Sequence, residues 1–227
     1  MKKTAIVSCY FQHNYGSMLQ AYATQMALDK LNLENETIDI AGFNHEIKKA
    51  KMLYFAKASL TSDILLSKLG MAKNVLIKKF SKNDYARLSC VRANKFDAFS
   101  KKYFRLSPRY NSKAELGDKC KENYSAVLVG SDQLWLPGNI AADYYTLNFV
   151  PEAVNTIAYA TSFGQSSLPN DSAKKASFFL KKIKHIGVRE ESGQKLVKQL
   201  ANRDVPVVCD PTLLFTGEEW MGIQQQE

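Results

Sequence analysis

Short apolar runs alternate along the chain with longer stretches whose apolar positions recur at helical spacing. Thr4-Ala5-Ile6-Val7-Ser8-Cys9-Tyr10 is rich in β-branched and small apolar residues and reads as a buried strand. After a polar loop, Met18, Leu19, Tyr22, Met26, Leu28 and Leu31 follow near the period of one helix face, with Ser17 as the predicted N-cap. Glu36 to Ala41 alternates as a second strand. Strand, helix and strand in that order make a βαβ unit, which implies a parallel sheet.

Residues 43–122 interrupt the rhythm. Leu53–Phe55, Ile64–Leu66, Val75–Ile77 and Phe96–Phe99 mark amphipathic helices with Lys and Arg on their other faces, and Pro108 is the segment's one proline. The alternation then resumes. Ser125–Gly130 and Thr156–Ala160 read as strands, Asp171–Ile183 as a helix, His185–Val188 as a strand, Glu190–Leu200 as a short helix and Val205–Cys209 as a last strand. About six strands with helical connections predict an α/β fold, a Rossmann-like doubly wound parallel sheet carrying a basic helical insertion. The expected organisation is one domain over 1–216 with the insertion at 43–122, and the start of a linker at 217–227.

Composition leaves this picture in place. Of 227 residues 45% are hydrophobic and 23% charged, a globular balance with enough chain for a substantial core. No apolar run reaches the ~20 residues that span a bilayer. Met1-Lys2-Lys3 precedes only a short apolar stretch with no small-residue cleavage pattern, so a strand is favoured over a signal peptide and a cytoplasmic location is expected. The four cysteines (Cys9, Cys90, Cys120 and Cys209) are far apart and show no CxxC pairing, so neither a zinc site nor a disulfide framework is expected. Cys9 and Cys209 lie in apolar runs, where a thiol is usually a small buried hydrophobe.

The net charge of +9 is unevenly placed. Sixteen Lys and Arg stand against four acidic residues between Phe43 and Tyr110, a local balance of +12 that leaves −3 for the rest. Such a segment is either a solvated helix face or a surface drawn to an anionic partner. Its aromatics fall at helix spacing and no nucleic-acid motif accompanies the charge, so nucleic acid is not an expected partner.

Ligands of an open parallel sheet bind beyond the carboxyl ends of the strands. There the first strand leads into His13-Asn14-Tyr15-Gly16-Ser17, where glycine at a helix start permits close approach and the exposed N–H groups favour an anion. Other strand ends deliver Gly130-Ser131-Asp132-Gln133, Thr161-Ser162-Phe163-Gly164, Arg189-Glu190 and Asp210-Pro211-Thr212. Asn14, Ser17, Ser131 and Asp132 are equally suited to be caps and turn residues. Neither GxGxxG nor GxxxxGK[ST] is present. Arg189 needs a carboxylate or phosphate partner, either a ligand or one of Glu190, Glu191 and Asp210. Trp135 suits core packing better than a ligand platform.

Five of these segments carry a resemblance. Asn14-Tyr15-Gly16-x-x-Leu19-Gln20-Ala21-Tyr22-Ala23, Gly130-Ser131-Asp132-Gln133-x-Trp135, Ile157-Ala158-Tyr159-Ala160-x-Ser162-Phe163-Gly164, Val188-Arg189-Glu190-x-Ser192 and Asp210-Pro211-Thr212-Leu213-Leu214 resemble, in order and spacing, the polysaccharide pyruvyl transferases. The resemblance implies the N-terminal half of a GT-B-like enzyme built of two Rossmann-like domains. It further implies transfer of a pyruvyl group from phosphoenolpyruvate to sugar hydroxyls in surface polysaccharide (exopolysaccharide) synthesis. Phosphoenolpyruvate is then a donor substrate, with no cofactor and no metal. Saccharide or lipid-linked saccharide acceptors are implied partners, and the basic segment would meet them at the inner face of the membrane. Arg189 matches an arginine associated with the donor, and the family's C-terminal histidine would lie beyond Glu227, so this chain alone is expected to be inactive. Catalytic roles are assigned on this basis to Arg189 and Asp132, and substrate-binding roles to Asn14, Tyr15, Gly16, Ser131, Gln133, Ser162 and Gly164. Two other functions share these features: a nucleotide-sugar-dependent glycosyltransferase, and a non-catalytic module binding anionic glycan or lipid.

Overall fold

The computed structural model describes residues 2–58 and 83–223. Five strands form one all-parallel sheet: β1 (Lys3–Val7), β2 (Asn35–Thr37), β3 (Tyr124–Asp132), β4 (Asn155–Thr161) and β5 (His185–Val188), in the order β2-β1-β3-β4-β5. From β1 the chain first builds outward to β2, then returns to lay β3 on the other side. The reversal opens a crevice between the carboxyl ends of β1 and β3, the place where parallel α/β sheets bind ligands.

Side-chain alternation along the strands feeds two packed layers. Ile6 and Leu128 face Leu28 of α1 (Tyr15–Lys30) on one side of the sheet. Ala5, Val7, Val127 and Val129 face the larger core on the other side. That core includes Leu116 and Cys120 of α4 (Lys113–Asn123), Phe179 and Leu180 of α6 (Asn170–Lys182), and Leu196 and Val197 of α7 (Glu191–Ala201). Trp135 is fully buried between Phe163 and Phe179, with its Nε1–H donated to the Tyr145 carbonyl at 3.0 Å.

Several boundaries differ from the sequence-based expectation, each for a local reason. Asn14, not Ser17, caps α1: its side chain accepts the Ser17 N–H at 3.2 Å, which moves Ser17 into the first turn. The strand expected over Glu36–Ala41 stops at Thr37, because Asp39 N–H turns to the Ser107 hydroxyl instead of a ladder partner. The outer edge of Thr37 is covered by a parallel bridge to Leu106. The expected sixth strand contributes one bridge, Val207 to Val188, since Pro206 has no N–H to extend a ladder. Cys209 is consequently exposed rather than buried.

Of residues 43–122, the described parts contain α2 (Asn44–Ala58), α3 (Asn83–Tyr103) and α4. The helical positions expected at Ile64–Leu66 and Val75–Ile77 lie outside the described residues. Helix α2 packs beside α5 (Pro137–Ala142), which follows the end of β3, and Phe55 lies against Gly138. After β5 and α7, a 3₁₀ turn (Pro211–Leu214) and α8 (Gly217–Met221) return to α1, where Lys30 pairs with Glu219 and Tyr22 meets Trp220. Among the described residues, no helix is long and apolar enough to cross a membrane.

Candidate active site

A polar cavity of about 640 Å³ opens at the carboxyl edge of the sheet. It receives Cys9 and Gln12 from the end of β1, Asn14, Gly16, Ser17 and Gln20 from the start of α1, Lys51 from α2, Asp132 and Gln133 from the end of β3, Arg189 from the end of β5, and Asp210 and Thr212 beyond it. Strand ends far apart in sequence are thus drawn to one place by the parallel topology.

Asp132 is the hub of the β1–β3 crevice. Its Oδ2 accepts the Ser17 hydroxyl at 2.7 Å and the Cys9 thiol at 3.3 Å, and its Oδ1 accepts the Gln133 N–H at 2.7 Å. The Asp132 backbone, at φ 86°, lies in a region that side chains disfavour; such conformations persist where surrounding contacts fix them. Burial, with the Asp132 carboxylate beside it, pushes the Cys9 thiol up to about 12, so at neutral pH the thiol is a donor and not a nucleophile. Gln20 closes the crevice from below: its Oε1 accepts the Ser131 N–H at 2.6 Å and its Nε2 donates to the Ser17 carbonyl at 2.8 Å.

The chain reaches Asp132 through a tight passage. A Cβ on Gly130, whose φ is +148°, would come within 2.0 Å of the Tyr159 carbonyl oxygen. Glycine alone lets β3 pass β4 this closely.

A second cluster centres on Asp210. Its Oδ2 accepts from Arg189 Nη1 at 3.1 Å and lies 2.8 Å from the Ser131 hydroxyl, while Oδ1 accepts the Thr212 N–H at 3.1 Å and the Thr212 hydroxyl at 2.8 Å. Burial works against the charge on Asp210, but these donors outweigh it and hold the carboxyl below its usual value. Arg189 therefore has the internal carboxylate partner that the sequence left open, with Glu190 a further 4.0 Å from Nε. A guanidinium carries five N–H donors in a fixed fork, so this pairing orients Arg189 and leaves other donors for a ligand.

Of the nine residues singled out from sequence, Asn14, Gly16, Asp132, Gln133 and Arg189 line this cavity. Ser131 lies beneath it, fully buried, its hydroxyl shared between Asp210 and the Ala160 carbonyl at 2.9 Å. Ser162 is also buried and accepts the Gly164 N–H at 2.9 Å, and Gly164 packs against Gln133. Tyr15 is directed elsewhere: it is exposed, sits 4.9 Å from Phe96 between ring centroids, and lines a separate apolar cavity between α1 and α3. His13 also faces α3, with Nε2 2.9 Å from Asp97. Among the polar lining residues, Gln12, Lys51 and Asn139 are not anticipated from sequence, and Cys9 reads there only as a small buried apolar residue; Ser17, Gln20, Asp210 and Thr212 stand in the strand-end segments or motifs singled out from sequence, but without an assigned role. The structure places Lys51 four residues after Ile47, on the core-facing side of α2.

The fold and this cavity define a parallel α/β protein with a polar cavity at its topological switch point, furnished with a helix N-terminus, an oriented arginine and a carboxylate. The sequence matches the polysaccharide pyruvyl transferase family over residues 14–225, and the chain belongs to that family. Membership indicates a polysaccharide pyruvyl transferase-like function and implies a saccharide acceptor. No curated protein and no solved structure gives a significant match to the chain.

Proposed function

We propose that the cavity binds phosphoenolpyruvate and serves transfer of its three-carbon unit to saccharide hydroxyls in surface polysaccharide synthesis. The observation that carries this reading is the oriented Arg189: fixed by Asp210, it faces the same cavity as the first turn of α1. The Tyr15 and Gly16 N–H groups of that turn have no acceptor among the described residues. A cation in a fixed fork and free N–H groups at a helix start suit a ligand with two anionic ends.

In the reaction, a proton goes to the methylene carbon of the donor and a sugar hydroxyl oxygen bonds to the central carbon. The bond from that carbon to the phosphate oxygen then breaks, a second hydroxyl adds, and the products are a cyclic ketal and inorganic phosphate. Two hydroxyl protons are released, and Asp132 is the carboxylate assigned to accept one. Ser17 and Cys9 donate to a single oxygen of Asp132 and so fix the orientation of its carboxylate at the edge of the cavity. Calorimetric titration separates this reading from a glycosyltransferase: phosphoenolpyruvate binds and a nucleotide sugar does not. The opposite pattern would overturn the proposed donor.

A further inference from the structure

The cavity contains two cations in contrasting situations. Arg189 is committed to Asp210 at 3.1 Å and lies near Glu190. Lys51 is half-buried yet makes no hydrogen bond or ion pair with any described residue. Its position follows from the helix period. Ile47 is buried in the core, and Lys51, one turn later, is carried inward on the same face while Lys48 and Lys49 stay exposed. An ammonium drawn partly out of water without a counter-ion loses hydration and gains nothing in return. A lysine kept only for solubility would stay on the exposed side, as its neighbours do.

We infer that Lys51 is a ligand-binding residue of this cavity, its ammonium taking the phosphoryl group of the anionic substrate. The planar fork of Arg189 can take either anionic end; with it on the carboxylate, the compact charge of Lys51 serves the phosphoryl group. Burial lowers the affinity of Lys51 for its proton, and a bound dianion would restore it. Identifying the substrate as phosphoenolpyruvate rests on the reading proposed above; the role of Lys51 as an anion ligand does not.

The test is calorimetric titration of phosphoenolpyruvate, and separately of inorganic phosphate, into wild-type chain and the Lys51→Met, Lys51→Gln and Lys51→Arg variants, each with a thermal melt. Lys51→Met and Lys51→Gln should weaken phosphoenolpyruvate binding by about ten- to a hundredfold, the range of one charge-assisted hydrogen bond. Lys51→Arg should retain most of the affinity. Without ligand, the neutral variants should melt no lower than wild type, because a half-buried charge with no partner among the described residues has been removed; this separates a binding role from a structural one. Should Lys51→Met fold poorly, Lys51→Gln carries the comparison. Unchanged phosphoenolpyruvate affinity in the folded neutral variants would overturn the inference and leave the donor reading standing. Lys51-dependent binding of phosphate with no binding of phosphoenolpyruvate would do the reverse. A wild-type chain that binds neither contradicts both.

Discussion

The Ser17 hydroxyl donates to the Asp132 carboxylate at 2.7 Å, tying the first turn of α1 to the end of β3 across 115 positions of sequence. Ser17 is buried and its acceptor is charged, so the bond belongs to the stronger class. Ser17→Ala should destabilise the chain by about 1.5–3 kcal/mol, read as a lower urea midpoint with an unchanged slope. An unchanged midpoint would show that the pair is not formed in solution.

Arg189 is oriented by Asp210 and has donors left for a ligand. Arg189→Ala should weaken phosphoenolpyruvate binding by about tenfold or more. Arg189→Lys should recover only part of it, because an ammonium cannot reproduce the planar fork. Full recovery by lysine would mean that charge alone is used.

Asp210 supplies a pH signature. Its folded carboxyl is held below its ordinary value of 3.8, so it contributes stability that is fully present above that value and is lost as pH falls through the lower folded one. Asp210→Asn removes the contribution. Wild type should therefore exceed the variant in stability at neutral pH, with the gap closing below about pH 4. Denaturant titrations at a series of pH values check this, and a gap that stays constant down to pH 3 would contradict it.

The parallel α/β architecture was legible because buried strands and amphipathic helices have distinct periods. The rule that ligands gather at strand carboxyl ends then brought Asn14, Gly16, Asp132, Gln133 and Arg189 to one cavity. Which polar residue plays which part was not legible. Asn14 and Ser17 are both good caps, and only the geometry of the turn gives the cap to Asn14 and frees Ser17 for Asp132. Cys9 read as an apolar strand residue, yet β1 ends at Val7 and its thiol reaches Asp132. Tyr15 belongs to the same motif as Gly16, but one residue's step around the helix, about 100°, sends its ring toward Phe96. Lys51 was submerged in a run of lysines whose local charge concealed the one that points inward.

Gly130 is required by space as well as by φ. A methyl group there would meet the Tyr159 carbonyl oxygen at 2.0 Å, and backbone cannot yield as a side chain can. Gly130→Ala should cost about 3 kcal/mol or more and displace Ser131 and Asp132 from the crevice. A variant with wild-type thermal stability would contradict the close passage of β3 against β4.

The central claim is that the β1–β3 crevice, and not the apolar cavity between α1 and α3, is where the anionic donor binds. Titrating phosphoenolpyruvate into the ¹⁵N-labelled chain and following amide chemical shifts tests it most directly. Gly16, Ser17, Asp132, Gln133, Arg189 and Thr212 should move together along one saturating curve, while Leu88, Val91 and Phe96 of the apolar cavity stay in place. Movement confined to that second set, or no saturable movement at all, would contradict the account.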